Sequence, residues 1–124
     1  MPGQATATRK NILLVDDQQE VREVIKVLLD IDEHTVTEAG NGQEALARFQ
    51  PGVFDLVITD FKMPQMSGHE LATSLKQLAP AQPILMVTGS AAQCGFSAES
   101  VDAVLNKPFR LDELRQAIAS VLIA

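Results

Sequence analysis

Ile12-Leu13-Leu14-Val15-Asp16-Asp17 decides the fold: a four-residue apolar run, too short for a helix, stops abruptly at two acids. A run of that kind reads as a strand buried on both faces, the signature of a parallel sheet covered by helices. The same pattern recurs in Leu56-Val57-Ile58-Thr59, which stops at Asp60, and in Pro83-Ile84-Leu85-Met86-Val87, which stops at Thr88. A fourth instance, Val104-Leu105-Asn106, runs into Lys107-Pro108-Phe109. Four strand ends therefore deliver acids, a hydroxyl and an amine. The C-terminal edge of a parallel α/β sheet is where such folds bind their ligands.

Between these strands the period changes from continuous to helical. Val21, Val24, Ile25, Leu28 and Leu29 form one stripe, predicting a helix packed on the sheet. A weaker strand follows at His34-Thr35-Val36-Thr37-Glu38. Asn41-Gly42-Gln43-Glu44 then opens a helix carrying Ala45, Leu46 and Phe49, which Pro51-Gly52 ends. Ser67 with Glu70 forms a capping box ahead of Leu71, Leu75 and Leu78. Residues 91–100 permit a short fourth helix, weakened by Gly95. A fifth helix after Pro108 points Leu111, Leu114, Ile118, Val121 and Leu122 inward. Five strand–helix alternations with right-handed crossovers predict an α/β fold: a doubly wound, five-stranded parallel sheet of order 2-1-3-4-5 in a (βα)5 three-layer sandwich.

The 124 residues suit one domain, expected at 11–124 behind a flexible leader at 1–10. That leader lacks a secretory apolar core, and no run approaches the length of a membrane span. A lone cysteine, Cys94, forms no internal disulfide and fits a reducing, cytoplasmic setting. Ten Lys and Arg against 16 Asp and Glu leave a net charge of −6, with the cations scattered. Direct nucleic-acid binding, which needs clustered cations, is disfavoured, and a cation or a basic protein surface is the better partner.

Taken singly, each acid could be a mere strand end or a cap, as Asp17 could be before Gln18-Gln19-Glu20. Jointly, Asp16, Asp17 and Asp60 would repel one another unless a cation lay among them, and hard oxygen ligands suit Mg²⁺. Lys107 would hold a phosphoryl oxygen as a point charge, and Thr88 could donate a hydrogen bond to another. Pro108 restricts the backbone of Lys107, and a cis bond there would aim the side chain inward. A carboxylate in such a pocket can attack a phosphoryl group and form an acyl phosphate.

Val15-Asp16-Asp17, Asp60-Phe61-Lys62-Met63-Pro64-Gln65-Met66-Ser67-Gly68, Val87-Thr88-Gly89 and Lys107-Pro108-Phe109, in that order, resemble the receiver domains of two-component response regulators, which are flavodoxin-like. The resemblance implies that Asp60 is the phospho-acceptor, taking its phosphate from a histidine kinase or histidine phosphotransfer domain. It also implies that Asp17 and Asp60 ligate Mg²⁺ directly, Asp16 through water, and Lys62 through its backbone carbonyl, while Lys107 and Thr88 hold the phosphoryl group. A receiver is a signalling domain that assists its own phosphorylation and dephosphorylation rather than an enzyme acting on a separate substrate. Its usual downstream protein partner surface is the face of helix 4, strand 5 and helix 5, and a homodimer is also compatible with this chain.

Two departures stand out. Relatives carry Tyr or Phe three residues before the lysine, where this chain has Val104, and many carry Ala where Gly89 follows Thr88. Side chains of Lys62 and Ser90 are candidates for tuning the lifetime of the phosphate. Aspartate-nucleophile phosphatases use similar groups, but need a second acid two residues after the nucleophile, where Lys62 stands. A phosphate-independent scaffold would leave three clustered acids unexplained. The final helix runs to the end of the sequence, so no helix-turn-helix output is expected.

Overall fold

The computed structural model describes residues 9–89 and 101–122. Strands β1 (Asn11–Val15), β2 (Thr35–Ala39), β3 (Leu56–Asp60), β4 (Ile84–Thr88) and β5 (Ala103–Asn106) form a single sheet of order β2-β1-β3-β4-β5, with every pairing parallel. The helices are α1 (Gln19–Ile31), α2 (Gly42–Arg48), α3 (Gly68–Leu78) and α4 (Leu111–Leu122). Here α4 is the fifth helix expected from the sequence. The short helix expected at 91–100, with Ser90 and Cys94, lies outside the described residues.

Alternation along each strand sorts the apolar residues onto two layers. Leu13, Val15, Val57 and Met86 join Ala45, Leu71 and Leu75 of α2 and α3, backed by Phe49 stacked on Phe54 at 6.2 Å. Ile12, Leu14, Ile58 and Leu85 face the opposite way, onto Ile25 and Leu29 of α1 and Leu114, Ile118 and Val121 of α4. Because β1, β3 and β4 are covered on both faces, nearly every position in them must be apolar until the strand ends. That is why the continuous runs stop where the polar residues begin. Among the described residues no helix is long and apolar enough to cross a membrane.

Some expectations need correction. The α1 stripe is wider than its buried face: Ile25 and Leu29 are buried, but Val24 is 60% exposed, as are Val27 and Ile31 to a similar degree. In α3, Leu71 and Leu75 are buried while Leu78 is exposed. Strand β5 is not buried on both faces; it closes one edge of the sheet, and Val104 is 37% exposed. An apolar trimer looks the same in sequence whether one of its faces or both are covered. Asp17 is not the cap of α1: the N–H of Gln18 instead donates to Asp16 Oδ1 (2.9 Å). Next to β1, Arg9 and Lys10 both make contacts. Arg9 pairs with Glu33 at 2.6 Å, and Lys10 donates to His34 Nδ1 at 3.0 Å through its backbone N–H while its carbonyl accepts from Thr35.

Candidate functional site

The site is assembled by strand ends. Past the last residue of β1, the Asp16 N–H still reaches the Ala39 carbonyl at 3.2 Å, which extends the ladder by one bond. Asp16 is 1% exposed, and its two carboxylate oxygens are divided: Oδ1 accepts from Gln18 N–H, and Oδ2 lies 3.4 Å from Lys107 Nζ. Asp17, the next residue, is exposed. Asp60 ends β3 at 9% exposure, and its Oδ1 accepts from Lys107 Nζ at 2.9 Å. One carboxylate oxygen from each of Asp16, Asp17 and Asp60 lies within 4.8 Å of the others.

Lys107 reaches this point because its backbone is anchored. Its N–H donates to the Thr88 carbonyl at 2.8 Å, tying the end of β5 to the end of β4. The Lys107–Pro108 bond is cis, as the sequence allowed. Thr88 is itself buried at the end of β4, beside the strand that carries Asp60. Lys62 lies in the loop after β3, with an exposed side chain. That loop is built by short backbone bonds, Met66 N–H to Pro64 carbonyl and Gly68 N–H to Phe61 carbonyl, each 2.7 Å. The expected capping box is present in both halves, Glu70 N–H to Ser67 Oγ and Ser67 N–H to Glu70 Oε1.

Among the described residues, the three carboxylates of the cluster face one ammonium, so the charges do not balance. Burial raises the Asp60 carboxyl above its usual range; the hydrogen bond from Lys107 opposes this, and the Asp16 charge reinforces it. Burial alone would lower the Lys107 ammonium, but the hydrogen bond and charge of Asp60, with the charge of Asp16, outweigh it and hold it above the ordinary lysine range. Taken separately, the raised acid makes the ion pair look unfavourable and the raised ammonium makes it look favourable. The imbalance reconciles them: the single cation is well supplied with partners, whereas the acids have too few. A hard, oxygen-only cluster with surplus negative charge fits a divalent cation.

Sequence reasoning thus picked out the acids, the threonine and the lysine, and the structure brings them to one edge of the sheet. It missed Arg22, whose guanidinium donates to the Asp16 carbonyl at 2.6 Å and to Glu38 Oε1 at 2.9 Å. Asp16 follows the end of β1 and Arg22 lies on α1, so no shared helical or strand period relates them and no sequence signal marked the contact. Among the described residues, the acidic group contains neither His34 nor His69.

A model of the response regulator receiver domain family matches residues 12–119. The response regulator receiver protein CpdR of Brucella abortus is 36% identical over 118 residues, covering 93% of this chain and 98% of that protein. The sensor histidine kinase AruS of Pseudomonas aeruginosa is 35% identical, covering 97% of this chain but 13% of the kinase, so only a segment of that protein is alike. Among solved structures, response regulator TrrA of Thermotoga maritima in complex with Mg²⁺ and beryllofluoride superposes with a TM-score of 0.84 at 34% identity, covering 91% of this chain and 99% of TrrA. TrrA in complex with the histidine kinase ThkA gives 0.82 at 35% identity, covering 91% and 98%.

Proposed function

Because the chain belongs to the response regulator receiver domain family of two-component signalling, we propose that its acid pocket is a phosphoryl acceptor with Asp60 as the residue that carries the phosphate. The observation that carries this reading is the placement of Lys107 Nζ, 2.9 Å from Asp60 and 3.4 Å from Asp16, at the meeting point of three strand ends. A carboxylate oxygen of Asp60 attacks the phosphorus of a phosphohistidine, the P–N bond breaks, the imidazole leaves, and an acyl phosphate remains. Lys107 and the Thr88 hydroxyl then hold oxygens of the transferred group.

Asp16, Asp17, Asp60 and the backbone carbonyl of Lys62 would hold Mg²⁺, which when bound offsets the negative charge that builds up on the phosphoryl oxygens. The same groups would support hydrolysis of the acyl phosphate, with the Lys62 side chain at the rim. The proposed donor is a histidine kinase or phosphotransfer domain in the cytoplasm; a kinase partner is supported by the solved complex of TrrA with the histidine kinase ThkA. The purified chain given acetyl phosphate and Mg²⁺ is expected to gain the mass of one phosphoryl group, and none when EDTA replaces Mg²⁺. Absence of any gain with Mg²⁺ would refute the assignment.

A protein donor must cover the rim of this pocket, and the neighbouring surface is suited to it. An open apolar groove of about 520 Å³ runs between α1 and the start of the α4 segment, lined by Val21, Val24, Leu28, Pro108 and Phe109, with Lys107 as a shared wall. Exposed apolar surface of this kind marks a contact site. Val24→Glu should slow phosphotransfer from a cognate kinase about tenfold, as loss of a strong interface contact does. Labelling by acetyl phosphate should stay within about twofold, because Val24 is on the surface and far from being a core residue. Equal slowing of both reactions would remove the groove from the donor interface.

A further inference from the structure

We infer that Arg22 is a positioning residue for the metal site: its guanidinium fixes the peptide that joins Asp16 to Asp17, and so sets the direction in which both carboxylates leave the backbone. The inference rests on the reading of those acids as Mg²⁺ ligands.

The peptide unit from Asp16 Cα to Asp17 Cα is planar, so fixing its carbonyl oxygen fixes the orientation of the whole unit. That oxygen lies one residue beyond the end of β1. Arg22, one turn into α1, reaches back and donates to it at 2.6 Å. The other arm of the same planar fork, Nε, is held by Glu38 Oε1 at 2.9 Å. Glu38 belongs to β2 and pairs in register with Leu14 of β1. The Arg22 side chain is only 16% exposed, so it is held in place and not merely resting on the surface. A guanidinium is rigid and presents its donors in one plane, which lets it bridge a carbonyl and a carboxylate at once; an ammonium on a flexible stem does not reproduce that.

The remaining groups of Asp16 point the same way. Its N–H is bonded to Ala39, and its carboxylate to Gln18 N–H and Lys107. Every polar atom of Asp16 is therefore tied to a different residue, and Arg22 supplies the tie that also controls Asp17. Exposed and on a turn, Asp17 depends most on that backbone for its aim. Groups that orient metal ligands without touching the metal are commonly worth about 10- to 100-fold in affinity.

Isothermal titration of the full chain with MgCl₂ tests this, alongside thermal melts in EDTA. Arg22→Met is expected to weaken Mg²⁺ binding about tenfold, with Arg22→Lys recovering part of the loss. Glu38→Ala, which frees one arm of the fork, should weaken it less and in the same direction. A fold-only role would lower the EDTA melt and leave affinity of the folded protein unchanged. Wild-type Mg²⁺ affinity in folded Arg22→Met overturns the inference. Should Arg22→Met not fold, wild-type affinity in Glu38→Ala overturns it instead. Asp17→Asn separates the two levels. If Asp17→Asn binds weakly while Arg22→Met binds tightly, positioning alone is refuted; if Asp17→Asn binds like the wild type, the metal reading itself falls.

Discussion

Asp60→Asn is expected to take up no phosphoryl group from acetyl phosphate and Mg²⁺, and to melt in EDTA no lower than the wild type. The first half follows from the roles open to each acid. Asp16 is 1% exposed, with one oxygen bonded to the Gln18 N–H and the other to Lys107, so an incoming phosphorus reaches it less readily than Asp60 at 9%. Asp17 is exposed, and among the described residues Lys107 pairs with Asp16 and Asp60 instead, so the charge of an acyl phosphate on Asp17 would meet no fixed cation. Asp60 combines partial access with the shorter contact to Lys107, 2.9 Å. An amide oxygen is a poor nucleophile, and no neighbouring acid can substitute for the carboxylate. Intact-protein mass spectrometry after a fixed incubation reads the result, and a phosphoryl adduct on Asp60→Asn at the wild-type level would refute the assignment.

The second half follows from electrostatics. Burial and the Asp16 charge disfavour the ionised Asp60 carboxylate in the fold, so at neutral pH its ionisation costs stability instead of adding to it. Removing that charge takes the cluster from three carboxylates against one ammonium to two against one, and Lys107 keeps Asp16 at 3.4 Å. Added Mg²⁺ should raise the melting temperature of the wild type and have a smaller effect on Asp60→Asn. Proteins commonly give up some stability to hold a reactive group in place, and here the excess of negative charge is that cost.

How far a residue's role can be read from the chain alone depends on where its environment is set. β1, β3 and β4 are sandwiched between two helical layers, which forces a nearly continuous apolar run, so that the polar residues closing each run, Thr59-Asp60 in β3 included, mark the strand end. Asp16, Asp60 and Thr88 are therefore legible from a single sequence. The capping box of Ser67 and Glu70 is equally local, since both bonds close within four residues. Burial at the edges was not legible. Val24 and Val104 are apolar and periodic, yet both are substantially exposed, because whether a neighbour covers them depends on the other elements of the fold. Arg22 was invisible for a related reason: its partners, the Asp16 carbonyl and Glu38, become neighbours only once β1 and β2 are paired.

Gly68→Ala should both destabilise the protein and cripple the pocket, although Gly68 is not a ligand and lies eight residues past Asp60. Gly68 is the first residue of α3 and is buried, with its N–H donating to the Phe61 carbonyl at 2.7 Å. A Cβ at this position would collide with the Asp60 carbonyl oxygen and would lie 3.0 Å from both the Asp60 carbonyl carbon and Phe61 Cα. All three are backbone atoms, so no side-chain rotation relieves the overlap. Either the start of α3 moves away from the sheet or the Asp60 peptide is pushed aside. Overpacking of this kind costs about 1–3 kcal/mol, visible as a lower urea midpoint. The effect on chemistry should be larger, because the displaced peptide carries the Asp60 carboxylate, and a misplacement of about 1 Å can cost about 100-fold in rate. Gly40→Ala is the matched control: its Cβ would meet Glu44 Oε1 at 3.5 Å and Arg22 Nη1 at 3.6 Å, both ordinary contacts. That variant should stay within about 0.5 kcal/mol of the wild type. If Gly68→Ala matched Gly40→Ala in both urea midpoint and phosphoryl uptake, the tight seat of α3 against the end of β3 would have no part in aiming Asp60.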